Sequence, residues 1–436
     1  VTRPRFSVVI PTRERAATLR FTLRTCLAQD FDDYEIVVCD NAGSPATRDV
    51  VDEMASPKIR YVRAPRPLAM SDNWELAVSQ AAGEYVAVLG DDDGLLFHAL
   101  GELDRLIALV DAEVIRWTAV FYAWPTIALP GEAHYLRIPM GREVRMLDAR
   151  SVIASVIRFE APYVRLPMLY NSIIHRDLIA RVRGSAGRLF GNRYPDVYSG
   201  FALGYAAGRY ASVEAPMSIA GISGESYGVA NLFLRGRSAL DAELRALNDA
   251  SGLPVHPWVP DLPIFPEVPV ADSFQLAKET LFRGDGGLCL DRRQLAAHCM
   301  NRIPGGSEEE RRAWVAAIRS SLRHDPELVR WFDATFPGLP APAPPFRLRA
   351  DRLGFDGEFL HLSADVFGVT DVYGAAELCE KLLGYRASRI AYDLAASRPA
   401  GPAAADRTGS LASSDRPGRL PRYVEWLSRV WPRRPA

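Results

Sequence analysis

Four short apolar runs at the start of the chain alternate with segments whose apolar positions recur at helical spacing. Residues 6–10 (FSVVI) read as a strand that Pro11 stops, and residues 16–29 carry Ala16, Leu19, Leu23, Cys26 and Leu27 along one helical face. The second run, 34–39 (YEIVVC), ends in Asp40-Asn41-Ala42-Gly43, a turn signal. A helix near 46–55, a strand at 59–62 and a helix over about 72–82 lead to the fourth run, 85–90 (YVAVLG). Strands this uniformly apolar, each followed by a helix, predict an α/β fold with a mostly parallel sheet covered on both faces. Such sheets bind ligands beyond the carboxyl ends of their strands. The fold therefore gathers Pro11-Thr12, Asp40-Asn41 and Asp91-Asp92-Asp93 into one crevice.

Farther along, the pattern is mixed. Residues 112–124 read as a strand, 148–159 as a helix, 170–175 as a strand, 177–183 as a short helix and 196–208 as a helix beginning at an acidic residue. Residues 221–230 form a Gly/Ser loop, 236–250 and 271–335 pattern as helices, and Pro-rich connections fall at 254–269 and 337–345. The expected organisation is a catalytic-type α/β domain over 1–235, a mainly helical region over 236–395, a low-complexity linker over 396–419 and an amphipathic tail helix over 420–436.

Composition narrows the class. The 436 residues carry 52 basic and 53 acidic side chains, a net charge of −1, which argues against a general nucleic-acid binder. Five scattered cysteines without a C-x-x-C pair fit reduced thiols in a cytoplasmic protein better than disulfides or a zinc site. No apolar run approaches 18 residues, so no transmembrane helix is expected.

The chemistry starts at Asp91, Asp92 and Asp93. Three adjacent carboxylates at a strand end repel one another unless water or a cation neutralises them. Such a cluster suits Mg²⁺ or Mn²⁺ held by one or two carboxylates and completed by substrate phosphates and water. Asp93 alone is also placed to cap a helix starting near Leu96.

With the stretches FSVVIPTRERAATLRFTLRTCLAQDFDDYEIVVCDNAGS and SDNWELAVSQAAGEYVAVLGDDDG, the chain resembles family 2 glycosyltransferases over about residues 5–100, and less closely to about 235. The resemblance implies a GT-A fold, Rossmann-like, and inverting transfer of a sugar from a nucleoside-diphosphate sugar to a hydroxyl of a glycan or lipid-linked acceptor. By that resemblance Pro11, Thr12, Arg13 and Glu14 line the nucleotide, Asp40 reads the base, and Asn73 lines the donor site. A carboxylate accepts only, so Asp40 selects bases with a ring N–H: UDP, dTDP or GDP. Gly90 stands where the first aspartate of the family's D-x-D motif usually lies. That leaves Asp92 as the metal ligand, Asp91 as a ribose contact and Asp93 as a second ligand or a cap. Asp196, at a helix start after Pro195, matches the family's general base, and the helix dipole is expected to favour its ionised form. Glu160 and Glu225 are outside candidates for that role.

Tyr170 and Asn171 are placed to form an acceptor wall or to pack in the core. Ser223 and Ser226 lie in a loop that either closes over the diphosphate or stays on the surface. On a helical wheel the stretch 420–434 joins Trp426 and Trp431 on a broad apolar face opposite Arg422, Glu425 and Arg429. It suits either an anionic membrane surface, hence a peripheral enzyme at the inner face, or packing within an oligomer. The implied setting is bacterial surface polysaccharide synthesis. The alternatives are a degenerate module that binds sugar nucleotide or glycan, and a sugar nucleotidyltransferase. The latter needs a Gly-rich loop after the first strand, where VVIPTRERAA has no glycine.

Overall fold

The computed structural model describes residues 3–226, 239–344, 347–349, 351–386 and 388–394. The expected linker and tail helix, 396–436, and residues 227–231 of the Gly/Ser loop lie outside them. The first segment runs β1 (Phe6–Thr12), α1 (Ala16–Leu27), β2 (Tyr34–Asp40), α2 (Pro45–Met54), β3 (Ile59–Arg63), α3 (Met70–Ser79) and β4 (Tyr85–Val88). There follow β5 (Gly94–Leu95), α4 (Ala99–Leu109), β6 (Val114–Trp117), β7 (Val120–Ala123), β8 (Tyr135–Pro139), β9 (Glu143–Asp148) and α5 (Ala149–Ile157). Next come β10 (Ser172–His175), α6 (Arg176–Ala186), α7 (Pro195–Ala207), β11 (Arg209–Val213) and β12 (Ser218–Ile222). The helices α8 (Ala239–Ala250), α9 (Glu267–Thr280), α10 (Arg292–Asn301), α11 (Glu308–Ser321) and α12 (Pro326–Thr335) precede β13 (Gly354–Phe355), β14 (Phe359–Ser363), α13 (Val372–Leu383) and β15 (Asp393–Leu394).

A nine-stranded sheet has the order β15-β9-β11-β6-β10-β4-β1-β2-β3. β1 pairs in parallel with β2 and β4, β2 with β3, and β6 with β11; β10 lies antiparallel between β4 and β6. This is the mostly parallel sheet that the apolar runs predict. Alternation along its strands sends Val8 and Ile10 to one face and Val9 to the other, so each face builds its own core. Helices α1, α2 and α4 cover the first face; α3, α5, α6 and α7 cover the second.

The stretch 112–124, which patterns as one strand, is two. At Thr118 the chain leaves the main sheet, and β7 joins a second sheet of order β13-β14-β8-β7-β12-β5. In that sheet β12 pairs with β5, the strand that directly follows the aspartates, so the loop after β12 is delivered to them. The stretch 271–335 forms α9 to α12 around a core that includes Phe265, Val268, Leu295, Ile318 and Phe332. Residues 354–394 then return to the sheets: β14 pairs with β8, and β15 with β9. Glu380 of α13 accepts hydrogen bonds from the backbone of Phe97 (2.7 Å) and His98 (3.3 Å), and its carboxylate lies 2.8 Å from His98 Nδ1. No described helix is long and apolar enough to cross a membrane.

Candidate active site

Strands β1 to β4 end on one edge. Register sets Thr12, Asp40 and Arg63 side by side there, and the three aspartates leave β4 next to them. Thr12 Oγ1 donates to Asp91 Oδ2 at 2.7 Å, and Arg15 Nη1 donates to Asp91 Oδ1 at 3.1 Å and lies 3.4 Å from Asp92 Oδ2. Arg15 Nη2 donates to the Glu225 carbonyl. Burial works against the Arg15 charge, but Asp91 and Asp92 outweigh it and raise its pKa, so Arg15 stays cationic. A cation thus does sit among the carboxylates, and it is an arginine from the turn after β1.

Asp92 Oδ2 also accepts from Ser223 Oγ at 2.7 Å, Ser226 Oγ at 2.5 Å and the Ser223 amide at 3.3 Å. The Gly/Ser loop therefore closes onto Asp92. Its approach depends on Gly221, where a Cβ would stand 1.8 Å from the Asp92 carbonyl oxygen. Asp93 does not cap α4. That helix starts at Ala99 with His98 as its cap, and Asp93 instead accepts from the amides of Gly221 (2.8 Å) and Gly90 (2.9 Å). Burial raises both Asp91 and Asp93; Arg15 opposes the rise at Asp91, and the Asp92 charge adds to it at Asp93. The backbone of the triplet is also held. Thr22 Oγ1 shares its hydrogen between the carbonyls of Asp91 (3.1 Å) and Asp93 (2.7 Å), and Trp124 Nε1 donates to that of Asp92 (2.9 Å).

Asp40 is fully buried. Its Oδ1 accepts from the Gly43 amide (2.8 Å), and its Oδ2 from Tyr61 OH (2.6 Å) and Arg63 Nη1 (2.8 Å). Those three bonds leave one acceptor direction of about four. The other residues expected to line the donor have partners of their own. Arg13 pairs with Glu243 of α8 at 2.5 Å. Glu14, at φ 55°, accepts from the Ser44 amide. Pro11 sits opposite Cys39, and Asn73 is buried with its Oδ1 3.5 Å from Cys39 Sγ, under the edge rather than on it.

Asp196 lies in the first turn of α7, where Tyr194 is the cap residue. Burial raises its pKa even though amides of the helix start donate to it. The expected gain from the helix dipole is therefore smaller than the cost of desolvation. Tyr163 and Tyr170 lie within electrostatic reach of Asp196, and Tyr170 is also within reach of Asp93. Tyr170 thus feels the charge of both Asp93 and Asp196. Asn171 donates from Nδ2 to the Val164 carbonyl at 3.0 Å. Glu160 pairs with Arg158 at 2.9 Å, and Glu225 touches the cluster through its backbone carbonyl to Arg15.

The donor set of the cluster is all oxygen, the kind Mg²⁺ and Mn²⁺ take. No group of three or more His, Cys, Asp or Glu among the described residues forms a cage. Asp92 Oδ1 is the one carboxylate oxygen of the triplet that accepts no hydrogen bond from them. That suits an ion held by one or two carboxylates and otherwise by phosphate and water. Arg15, Tyr61 and Arg63 belong to this edge, and the sequence reading did not select them. The signal for Arg15 was its place one residue beyond the chosen turn, facing three carboxylates.

Residues 7–148, about a third of the chain, match the family model described as glycosyl transferase family 2. A GalNAc(5)-diNAcBac-PP-undecaprenol beta-1,3-glucosyltransferase of Campylobacter jejuni is 35% identical over 103 residues, 23% of this chain and 33% of that protein. The chain spans a third or less of the length of the curated relatives it matches. Among solved structures, S. aureus TarS 1-349 in complex with UDP is similar over 75% of this chain and 83% of its own, with 16% identity and a TM-score of 0.43. The mannosyltransferase PcManGT of Pyrobaculum calidifontis, in complex with GDP-Man and Mn²⁺, is similar over 76% and 84%, with 15% identity and a TM-score of 0.38.

Proposed function

From the match of residues 7–148 to the glycosyl transferase family 2 model, we propose that the chain is an inverting glycosyltransferase. It moves a sugar from UDP, dTDP or GDP to a hydroxyl of a glycan or lipid-linked acceptor in bacterial surface polysaccharide synthesis. The observation that carries the reading is an acidic cluster facing a fixed cation, Arg15, together with a second, separate buried carboxylate, Asp196, both within electrostatic reach of Tyr170. The Campylobacter relative, named for a PP-undecaprenol substrate, supports the acceptor class.

Asp196 takes the proton of the attacking hydroxyl; its raised pKa makes it a stronger base than a solvated aspartate. Arg15 places a permanent charge where the leaving diphosphate grows negative. Ser223 and Ser226 spend their hydroxyl hydrogens on Asp92 Oδ2 and so fix that carboxylate on the same side. Asp92, through Oδ1, is the residue that would hold Mg²⁺ or Mn²⁺, with Asp93 as the expected second ligand, and the ion when bound adds positive charge against the diphosphate. The base of the nucleotide meets Tyr61 and Arg63 first, since they cover Asp40.

Thermal unfolding with UDP, dTDP, GDP, ADP and CDP, each with and without Mn²⁺, tests this. A ligand at a hundred times its dissociation constant adds about 2.7 kcal/mol. One of the first three should raise the midpoint, and more so with Mn²⁺. If none of the five does, a degenerate module replaces the transferase reading.

A further inference from the structure

Arg116 is the third residue of β6, and alternation puts it on the sheet face covered by α5 and α7, the side where Asp196 lies. It is only 8% exposed. Its Nε donates to the Val164 carbonyl at 3.0 Å, and its Nη1 donates to Ser212 Oγ at 3.1 Å and Thr118 Oγ1 at 3.4 Å. All three partners are neutral, and Nη2 has none among the described residues. Two other well-buried arginines behave differently: Arg15 faces Asp91, and Arg193 has Asp261 at 3.7 Å and Asp249 at 3.9 Å.

The surroundings add positive charge rather than cancel it. Arg165 closes a 3-10 turn, Tyr163–Arg165, whose Val164 carbonyl Arg116 holds, and it makes no ion pair among the described residues. Burial, with Arg165 adding to it, pulls the Arg116 guanidinium down to about 10. A buried cation without a counter-ion is costly unless something anionic completes it. Tyr170 lies within electrostatic reach of Arg116 as well as of Asp93 and Asp196. Asn171, next to it, keeps a buried Oδ1 without a partner, suited to accept from a sugar hydroxyl.

We propose that Arg116 and Arg165 form a subsite for a phosphate group carried by the acceptor, on the sheet face that α5 and α7 cover. This rests on the transferase reading for the word acceptor, but the anion site itself does not. The diphosphate of a donor belongs with Arg15 and Asp92, and Arg116 shares no hydrogen-bond partner with either among the described residues, so the anion at Arg116 is a second one. Arg guanidinium suits phosphate because its fork of N–H donors matches the oxygen geometry.

The probes are N-acetylglucosamine 1-phosphate, glucuronate and neutral N-acetylglucosamine. Each is titrated calorimetrically into the full chain in EDTA, with and without the nucleotide that the thermal screen selects. The phosphate sugar should bind about tenfold or more tighter than the neutral one, also with nucleotide present. Arg116→Gln should remove that preference, Arg116→Lys should keep part of it, and both should bind nucleotide as the parent does. Arg165→Gln, at a half-buried position that does not threaten folding, should weaken the phosphate sugar severalfold and leave the neutral sugar unchanged. Equal binding of all three sugars, a preference for glucuronate, or an unchanged preference in both Gln variants would overturn the assignment. If no nucleotide binds but the phosphate preference and its loss in the variants hold, the transferase reading fails and the anion subsite stands.

Discussion

At Asp196 two effects act in opposite directions: a helix start favours the carboxylate, and burial disfavours it. Burial wins, and the sign of the consequence is fixed. A base must be ionised, so transfer falls as pH drops through a value raised above the ordinary 3.8. The acid limb of kcat should therefore lie above pH 3.8; a limb at or below that value would remove Asp196 from the role. Arg15 offers a second prediction. Arg15→Met leaves Asp91 and Asp92 buried without their counter-charge, which costs about 3 kcal/mol in EDTA. Mn²⁺ should restore part of it in a denaturant titration, and equal losses with and without Mn²⁺ would mean that these carboxylates do not take a cation. Asp91 to Asp93 were legible in the sequence because adjacent like charges after an apolar run need a reason. Arg63 was not, because it meets Asp40 only through the register of β2 with β3, and one arginine among so many carries little signal.

Elements of the first hundred residues were legible for a related reason: buried parallel strands have to be continuous apolar runs. Two-residue strands such as β5 carry no periodicity, yet β5 ties the aspartate turn to β12. The change of sheet between β6 and β7 left no mark either, since both halves of 112–124 are apolar. The close approach of β12 gives a prediction at this scale. Gly221→Ala puts a methyl group 1.8 Å from the Asp92 carbonyl oxygen, a backbone atom that cannot swing aside. We expect a loss of about 2–3 kcal/mol in stability and weaker nucleotide response, as Ser223 and Ser226 are pushed off Asp92. Wild-type unfolding together with wild-type nucleotide shifts would show that the loop does not work from this position.

For the whole molecule, the return of residues 354–394 was the part least visible in the sequence. Its strand partners lie in β8 and β9, more than two hundred residues upstream, and its Glu380 meets Phe97 and His98 as a single buried carboxylate. A chain ending at 344 loses β13 to β15 and α13, bares an edge of β8, and should lose its cooperative transition in circular dichroism. A sharp transition at the parent temperature would mean that the returning segment is dispensable. The grip of Thr22 and Trp124 on all three carbonyls of the aspartate turn bears on how an incoming ligand meets it. Backbone freedom there has already been surrendered during folding, so a ligand arriving at these residues gives up its own motion but little of the protein's.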